Sequence, residues 1–344
     1  MTPEALARLF QPWERAGRIL LAVSGGPDSM ALLHLAAEWS RTVTCPPLFA
    51  ATVDHGLRPA AQDEARLVAR AAQDLGIPHE ILHWRGDKPA SAIQEKAREA
   101  RYGLLADLAR RLGANVLMTA HHADDQAETI LFRLSRGSGV TGLGGMRAES
   151  RRDGLILARP LLGLRKAQLV DICRERLQIF AEDPSNADPR YGRVQILALL
   201  AELDAKGVQV DWTRLGARLS RADEALSAVS ETLFERARDR DGSINFTLLA
   251  AEPEEMSLRV LALFLEKAGA RLPLSLEKLE ALNERLRRAA AEKEISNATL
   301  AGLRIELDAR GVLHWRKERQ RKRGLGPKQE PEKNSPENRL SLSK

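Results

Sequence analysis

The amino-acid sequence predicts an α/β fold: a doubly wound parallel sheet followed by a second, smaller and mostly helical domain. Between residues 17 and 130, short apolar runs alternate with segments of helical periodicity, and a turn separates each pair. Strands and helices that alternate at this spacing are typical of a parallel sheet with helices on both faces. Beyond residue 211, helical periodicity dominates.

Four apolar runs predict the strands, and a helical pattern follows each one. The runs are residues 18–23, 49–53, 77–84 and 115–119. The helical segments that follow them run through Met30 and Ala37, and then over 63–75, 91–112 and 123–134. Because ligands bind beyond the carboxyl ends of parallel strands, the turns after Val23, Val53 and Thr119 should converge on one crevice.

The rest of the chain divides at residues 205 and 206, since Lys206-Gly207 interrupts the apolar period. Five glycines between Gly137 and Gly145 predict a loop. We expect a first domain over 1–205, a mostly helical domain over 206–317 and a basic disordered tail over 318–344. Helices are predicted at 165–177, 194–203, 212–238, 253–268 and 275–293, and a hairpin at 298–315.

Composition limits the class of protein. At 344 residues the chain is too long for one hydrophobic core, and an apolar content of 44% with only 4% aromatic residues predicts aliphatic packing. The two cysteines, Cys45 and Cys173, form no Cys-x-x-Cys pair, which favours a reducing cytoplasm over a disulfide framework. The apolar run near the start, Ile19 to Val23, is too short for a signal peptide or membrane span, so we expect a cytoplasmic protein without a membrane partner.

The formal net charge of +6 equals the net charge of residues 316–344, where ten Lys and Arg stand against four Asp and Glu. A second stretch, 133–176, has the same balance. Basic segments of this kind neutralise phosphates and steer polyanions, although solvated helix faces and a charged disordered end explain the charge alone equally well.

The segment with the most specific chemistry lies between the first strand and its helix: Ser24, Gly25, Gly26, Pro27, Asp28 and Ser29. Two glycines allow a tight turn, and backbone N–H groups at a helix N-terminus bind anions. No Gly-Lys-Ser/Thr occurs in the chain, so this is not a Walker A loop, and an aspartate in place of the lysine suggests a metal-bridged pyrophosphate. The alternative is an ordinary turn with a serine cap.

This Ser-Gly-Gly-x-Asp-Ser segment resembles the fingerprint of the ATP pyrophosphatase, or PP-loop, superfamily. Three further segments, in this order, resemble the tRNA(Ile)-lysidine synthase family: Val53 to Arg58, Thr119 to Thr129 and Glu182 to Asn186. The similarity covers about residues 17–200. It implies a ligase with ATP and Mg²⁺ as cofactors, whose substrates are L-lysine and a tRNA(Ile) with a CAU anticodon, and it implies tRNA binding by the second domain.

The resemblance also implies roles for individual residues. Residues 24–29 and Asp54 would bind the nucleotide, with Mg²⁺ on Asp28, while Arg98 would offset charge on the phosphates. His122 and Asp125 are further catalytic candidates. The protonated lysine ε-amine needs carboxylates. The substrate-binding candidates are Asp124, Asp125, Glu128, Arg136 and Arg193.

Other interpretations of these residues remain open. Asp54 could cap the turn before Gly56, and Asp124 with Glu128 could cap a helix. The density of histidine and carboxylate around residues 121–128 also suggests a metal-dependent phosphoesterase, and another PP-loop tRNA-modifying enzyme, such as a thiolase, is a further alternative. Gly137-x-Gly139-x-x-Gly142 matches the dinucleotide pattern but follows a helix, so we interpret these glycines as a loop that closes over the tRNA.

One segment departs from the family pattern. An Arg-Asn pair and another arginine usually follow the Asp-Pro-Ser-Asn segment, whereas here Arg193 is followed by Val194, Gln195 and Ile196. Arg193 can still contact phosphate without those partners.

Overall fold

A six-stranded sheet organises the first compact unit, Met1–Ser227. The computed structural model describes residues 1–42, 44–56, 61–85, 93–181 and 192–318, apart from the side chains of Gln94, Arg193 and Val194. The strands are β1 (Ile19–Ala22), β2 (Leu48–Asp54), β3 (His79–His83), β4 (Val116–Met118), β5 (Glu149–Arg152) and β6 (Leu155–Ala158). Their order is β3-β2-β1-β4-β6-β5, and all neighbours are parallel except β5 and β6.

The central strand β1 sets the register of the sheet. Ile19 pairs with Leu48 on one side and with Val116 on the other. The strand is almost entirely buried, which explains its continuous apolar run, since a parallel strand covered on both faces has no solvent side. The predicted parallel sheet is confirmed, with two strands added. The edge strand β5 was missed because its sequence, Glu-Ser-Arg-Arg, lacks an apolar pattern.

Helices cover both faces of this sheet. They are α1 (Pro3–Phe10), α2 (Pro27–Thr42), α3 (Ala61–Asp74), α4 (Ile93–Leu112), α5 (Ala123–Leu134), α6 (Val140–Leu143), α7 (Lys166–Glu175) and α8 (Gly192–Ala205). One core packs the sheet against α1, α2, α3 and α7 through residues such as Phe10, Leu33 and Leu169. A second core, which includes Tyr102 and Leu105, packs α4 on the opposite face. This two-faced arrangement is the doubly wound fold that the sequence predicts.

The second compact unit, Ala228–Lys344, combines helices with a small antiparallel sheet. Helix α9 (Trp212–Ala237) enters it from the first unit. The other elements are α10 (Phe246–Ala250), α11 (Glu254–Lys267), α12 (Leu276–Glu292), β7 (Ile244–Asn245), β8 (Ser296–Leu300), β9 (Leu303–Leu307) and β10 (Val312–Lys317). The predicted hairpin is observed as β9 and β10, and β8 and β7 extend it on either side.

The two compact units divide within α9, later than the predicted boundary at residues 205 and 206. The division of catalysis and tRNA binding between residues 1–205 and 206–317 stays a prediction. The predicted disordered tail lies outside the described residues from 319 onward, as does the Glu182 to Asn186 segment of the family resemblance. Among the helices that are described, none combines the length and apolar character that crossing a bilayer requires.

Candidate active site

The turn between β1 and α2 is shaped from inside by Ser29. The buried Ser29 hydroxyl accepts hydrogen bonds from the N–H groups of Ser24 at 3.0 Å and Gly25 at 3.2 Å, and it donates to the carbonyl of Gly26 at 3.0 Å. With these three bonds the Ser29 side chain holds the turn, and the contact with a phosphate predicted for it would be an additional role. The predicted cradle is therefore present as a turn, with Ser29 as its internal support.

Gly25 is required by the backbone of this turn. Its φ of +94° lies in the region that side chains with a Cβ rarely adopt. An added Cβ would also lie against Glu64 and Val68 of α3 at about the closest ordinary contact distance. The Gly25 carbonyl accepts a hydrogen bond from the Ala181 N–H at 2.9 Å. The turn is thus held by α3 and by the chain after α7, and it leads directly into the N-terminus of α2.

Asp28 lies in the first turn of α2, and the two oxygens of its carboxylate have different surroundings. Its Oδ2 is 3.6 Å from Nε2 of His122, whereas Oδ1 is buried without a hydrogen-bond partner among the described residues. A buried carboxylate oxygen without a partner suits a hard cation, and Mg²⁺ is commonly held by one or two carboxylates together with substrate phosphates. Because its buried Oδ1 has no partner among the described residues, Asp28 fits the metal role predicted for it. No group of three or more metal-binding side chains occurs in the described ranges, so Asp28 would hold the ion together with substrate phosphates.

His122 contacts both Asp28, which is predicted to bind the nucleotide, and Asp125, which is predicted to bind the lysine amine. It is buried at the N-cap of α5, and its Nε2 lies 3.4 Å from Oδ2 of Asp125 in addition to its approach to Asp28. Its Nδ1 lies 3.4 Å from Oδ2 of Asp124. Burial by itself would lower the pKa of His122, but hydrogen bonds with Asp124 and Asp28, together with the charge of Asp125, raise it to about 9. His122 is consequently an imidazolium at neutral pH.

Asp125 and Asp124 face different partners. Oδ2 of Asp125 accepts a hydrogen bond from the His122 N–H at 3.1 Å, which supplies one of the two bonds of a capping box at the start of α5. The Asp125 N–H approaches His122 Nδ1 at 3.4 Å, and we interpret this as a weak contact because Nδ1 carries a proton in the imidazolium. The side chain that caps the start of α5 is therefore that of Asp125, through the His122 N–H, and the predicted pair of Asp124 and Glu128 is not the one observed.

Asp124 instead caps the neighbouring helix. Its Oδ2 accepts a hydrogen bond at 2.7 Å from the N–H of Lys166, the first residue of α7. The hydrogen bond with His122 outweighs burial and, with the Lys166 N–H, lowers the pKa of Asp124 to about 2. This carboxylate is ionised and engaged at two helix N-termini, which is a structural contribution. A role in substrate binding stays a prediction.

Asp54 caps the turn before Gly56, which was one of the two interpretations that the sequence allowed. It ends β2, it is buried, and its Oδ1 accepts a hydrogen bond from the Gly56 N–H at 2.8 Å. Its Oδ2 lies 3.4 Å from Nδ1 of the half-exposed His83. The carboxylate therefore shapes the turn after β2, and the predicted contact with a nucleotide would be an additional role.

The remaining predicted site residues are Arg98, Arg136, Glu128 and Arg193. Arg98 is exposed on α4, where its guanidinium carbon lies 5.1 Å from the centroid of the Tyr102 ring. Arg136 is exposed just after α5 and stacks on Phe132 at 4.1 Å. Glu128 is half-buried one turn after Asp124, and the side chain of Arg193 lies outside the described residues. Arg98 and Arg136 each stack on an aromatic ring instead of contacting the His122 ring.

Two residues that the sequence did not single out, Gln126 and Asp223, hold the glycine-rich segment. The buried Gln126 amide donates to the carbonyl of Met146 at 3.1 Å and accepts from its N–H at 2.7 Å. Asp223 of α9 accepts from Thr141 at 2.6 Å and from Arg147 at 2.8 Å. The predicted loop thus contains a helical turn, α6, and is anchored at both ends.

Close packing explains two features of that segment. An added Cβ on Gly145 would lie 2.6 Å from the Gln126 side chain, which accounts for a glycine there. Arg133 donates to the carbonyls of Gly142 at 2.8 Å and Gly145 at 2.9 Å. Arg133 and Arg147 are thus engaged within the protein, and the second basic stretch of the sequence does not form one continuous charged face.

The turn, the helix N-terminus and the partnerless oxygen of Asp28 define a nucleotide-binding protein of the PP-loop class, and the PP-loop domain family model matches residues 2–202. The tRNA(Ile)-lysidine synthase of Rhodopseudomonas palustris is 46% identical over 314 residues, which are 87% of this chain and 90% of the relative. That of Bradyrhizobium sp. strain BTAi1 is 44% identical over 322 residues, with the same coverage of both chains. The chain belongs to the tRNA(Ile)-lysidine synthase family and is a tRNA-modifying ligase that forms a carbon–nitrogen bond.

A solved structure supports the fold independently. A U34-tRNA thiolase from Methanococcus maripaludis, determined with its [4Fe-4S] cluster, superimposes with a TM-score of 0.55 and 15% identity. The alignment covers 64% of this chain and 77% of the thiolase. At this level of identity the likeness concerns the fold alone.

Proposed function

We propose that the protein acts in the cytoplasm, where it joins L-lysine to C2 of the wobble cytidine, C34, in a tRNA(Ile) with a CAU anticodon. ATP and Mg²⁺ are the cofactors, and AMP and pyrophosphate are released. The observation that carries the proposal is the ionic cluster in which His122 lies within 3.6 Å of Asp28 and within 3.4 Å of Asp125. This cluster places the residue predicted to bind the phosphates next to the residue predicted to bind the amine.

The first step activates the base. The cytosine C2 oxygen attacks the α-phosphorus of ATP, the bond from that phosphorus to the β-phosphate oxygen breaks, and pyrophosphate leaves. The turn before α2 supports this step because a helix N-terminus stabilises the negative charge of the leaving group. Mg²⁺ on Asp28, when bound, supplies further neutralisation of the pyrophosphate. Arg98 is the residue we propose to add a further positive charge near the phosphates.

The second step forms the new bond. The lysine ε-amine attacks C2, gives up a proton, and displaces AMP as the C2–oxygen bond breaks. The amine is protonated in water, so it needs a carboxylate to bind it and a route for its proton. Asp125 is the carboxylate we propose, with Glu128 on the same helix. His122 fixes the position of Asp125 through both its backbone N–H and its ring.

The sulfur chemistry of a thiolase finds no support in the cysteines of this chain. Cys173 is buried, its thiol donates to the carbonyl of Pro27 at 3.3 Å, and burial followed by the charge of Asp28 raises its pKa to about 11. A thiol in that environment is protonated at neutral pH and is a poor nucleophile. Cys45 is also a free thiol with a raised pKa.

A phosphoesterase is disfavoured by how the histidines are used. Both ring nitrogens of His122 face carboxylates, and Nδ1 of His121 lies 2.8 Å from the Thr119 hydroxyl. In the described residues, no group of three or more histidine, cysteine and carboxylate side chains is arranged to hold a metal ion. The arrangement of these side chains therefore favours the ligase proposal over a histidine–metal centre.

The proposal is tested by following lysine incorporation into unmodified tRNA(Ile) with ATP and Mg²⁺. Product should contain one lysine for each AMP and pyrophosphate released, and without lysine an adenylylated tRNA should accumulate. The matched substrate is the same tRNA with uridine in place of C34, which should not react. Incorporation independent of ATP, or equal reaction with both tRNAs, would refute the proposal.

Two variants assign the steps. Asp28→Asn should abolish adenylylation. Asp125→Asn should slow the transfer to lysine, so that adenylylated tRNA accumulates in the presence of lysine. A matched control is Asp107→Asn on α4, which removes an exposed carboxylate paired only with Arg110 and should react like the wild type. Wild-type turnover by Asp28→Asn or Asp125→Asn would show that its role has been misassigned.

A further inference from the structure

Four arginines gather around one buried tyrosine on the α4 face of the sheet. The guanidinium carbons of Arg152, Arg98 and Arg101 lie 4.1, 5.1 and 5.2 Å from the centroid of the Tyr102 ring, whose residue is only 1% exposed. Arg159, which is 8% exposed, follows the end of β6, donates to the Ser150 hydroxyl at 3.2 Å and lies close enough to Tyr102 and Arg98 to interact with them electrostatically. We call Arg98, Arg101, Arg152 and Arg159 the arginine cluster.

The charge of the cluster is barely compensated within the protein. Among the described residues, only Arg152 of the four has a carboxylate within 4 Å, Asp153 at 3.3 Å, and both of those side chains are about half exposed. Burial, followed by the charge of Arg98, lowers the pKa of Arg159, and burial likewise lowers the pKa of Arg101. Like charges that converge in a partly desolvated place repel one another unless an anion joins them.

A specific atom points to a missing partner. Nε of Arg159 is buried and makes no hydrogen bond to any described residue, while Nη1 of the same side chain donates to the Arg147 carbonyl at 2.7 Å. A buried N–H without an acceptor is costly, and such groups in folded proteins usually have a ligand, an ion or a water. The orphaned donor belongs to the same side chain that contributes to the cluster.

The position of the cluster separates it from the turn before α2. Arg152 lies on the edge strand β5, and β6 and β4 lie between that strand and β1. Three strand spacings of about 4.8 Å put β5 roughly 14 Å from β1. Phosphates bound at the end of β1 therefore lie beyond the reach of Arg152, and the cluster needs a different phosphate-bearing group.

We propose that Arg101, Arg152 and Arg159 bind a backbone phosphate of the RNA substrate, with Arg98 lying between this phosphate and the nucleotide. The inference rests on the proposed function, since it takes a tRNA as the polyanion. Guanidinium groups bind phosphate through paired N–H donors and keep their charge when buried. The arginine cluster lies at a sheet edge and is partly exposed, so a large polyanion can reach it. A free nucleotide is too small to contact all the arginines of the cluster.

The test measures affinity for unmodified tRNA as a function of salt, without ATP or lysine. Arg152→Gln and Arg101→Gln should each weaken binding by about eightfold at 0.1 M salt, and each should reduce the slope of log K against log salt by about 0.9, as expected for one lost phosphate contact. The matched control is Arg110→Gln, on the same helix, whose exposed side chain pairs with Asp107 and should leave the slope unchanged.

A parallel measurement separates the possible sources of the phosphate. Calorimetry with ATP and Mg²⁺, and with pyrophosphate, should give the wild-type affinity for both variants. Loss of nucleotide or pyrophosphate affinity with an unchanged tRNA slope would assign the cluster to the nucleotide and overturn the proposal. Unchanged affinity for all three ligands would overturn it as well, provided circular dichroism shows folded variants.

The outcome is independent of the chemistry proposed above. If the wild type binds tRNA through these arginines but incorporates no lysine, the proposed function fails while the phosphate site stands. If lysine is incorporated and the salt slopes of the variants match the wild type, the phosphate site fails alone.

Discussion

Nε2 of His122 lies 3.6 Å from Oδ2 of Asp28, although 94 positions separate the two residues in the sequence. Asp28 belongs to the connection after β1, and His122 to the connection after β4, which is the neighbouring strand. The pairing therefore follows directly from the parallel order of the two strands. It makes the imidazolium a positioning group for two carboxylates.

Replacement of His122 by asparagine should separate positioning from folding. Asparagine is a good N-cap, so the start of α5 should be kept, but the positive charge between Asp28 and Asp125 is lost. We expect kcat for lysine incorporation to fall by about 10²-fold or more, the size of effect that a positioned acid–base group has on a reaction. Steady-state kinetics and thermal unfolding together check this. Near-normal kcat in a folded variant would remove His122 from the mechanism.

Gly25→Ala should destabilise the protein and weaken nucleotide binding. The φ of +94° costs a residue with a Cβ about 1–2 kcal/mol. Gly103→Ala is the matched control, because Gly103 lies exposed inside α4 with no atom near the added methyl group, and alanine there should stabilise the helix by about 0.5–1 kcal/mol. Urea unfolding measures the change in stability of both variants. If the two variants changed stability in the same direction, the assigned conformation of Gly25 would be contradicted.

Acid should destabilise the fold through His121. Burial, reinforced by the charge of Arg159, lowers the pKa of His121 to about 3, below its ordinary value of 6.5. The unfolded chain therefore takes up a proton that the folded protein does not, and stability falls as pH is lowered from about 6.5 toward 3. The slope from this group is at most about 1.4 kcal/mol per pH unit.

His121→Asn isolates that contribution. Asp124, with its pKa lowered to about 2, loses its stabilising effect only below about 3.8, and His122, with its pKa raised to about 9, loses its effect only above about 6.5. Between pH 4 and 6, chemical unfolding of the variant should depend less on pH than that of the wild type. Parallel pH profiles would show that His121 is protonated in the folded protein.

Gln126→Ala should loosen the glycine-rich segment. It removes the hydrogen bonds to both backbone groups of Met146, which are partly buried. We expect a loss of about 2 kcal/mol in the free energy of unfolding and faster hydrogen exchange around α6. Gln73→Ala, at an exposed position on α3, is the control and should change stability little. Unchanged exchange around α6 would contradict the anchoring role of Gln126.

Much of the first unit followed from local patterns. The predicted strand over residues 18–23 is observed as Ile19–Ala22, and the predicted helix over 123–134 is observed as Ala123–Leu134. The first is a continuous apolar run and the second has a helical apolar period, and both signals depend only on nearby residues. The charged edge strand β5 has no such period, because its outer face meets solvent and its inner face carries Arg152 beside Tyr102.

The candidate site was predictable in location and less so in detail. The turn residues and the His122 segment were expected to share a crevice, and the contact between Asp28 and His122 agrees with that. The functions of the individual residues stay predictions. Contacts such as Asp124 to Lys166, or Gln126 to Met146, join residues far apart in sequence through ordinary side chains, and no local pattern marks them.

The internal hydrogen bonds of Ser29 have a thermodynamic consequence. Because its hydroxyl already binds the N–H groups of Ser24 and Gly25, the turn is held in shape by the protein's own hydrogen bonds. Binding of a nucleotide at this turn would therefore spend little conformational entropy on ordering the segment.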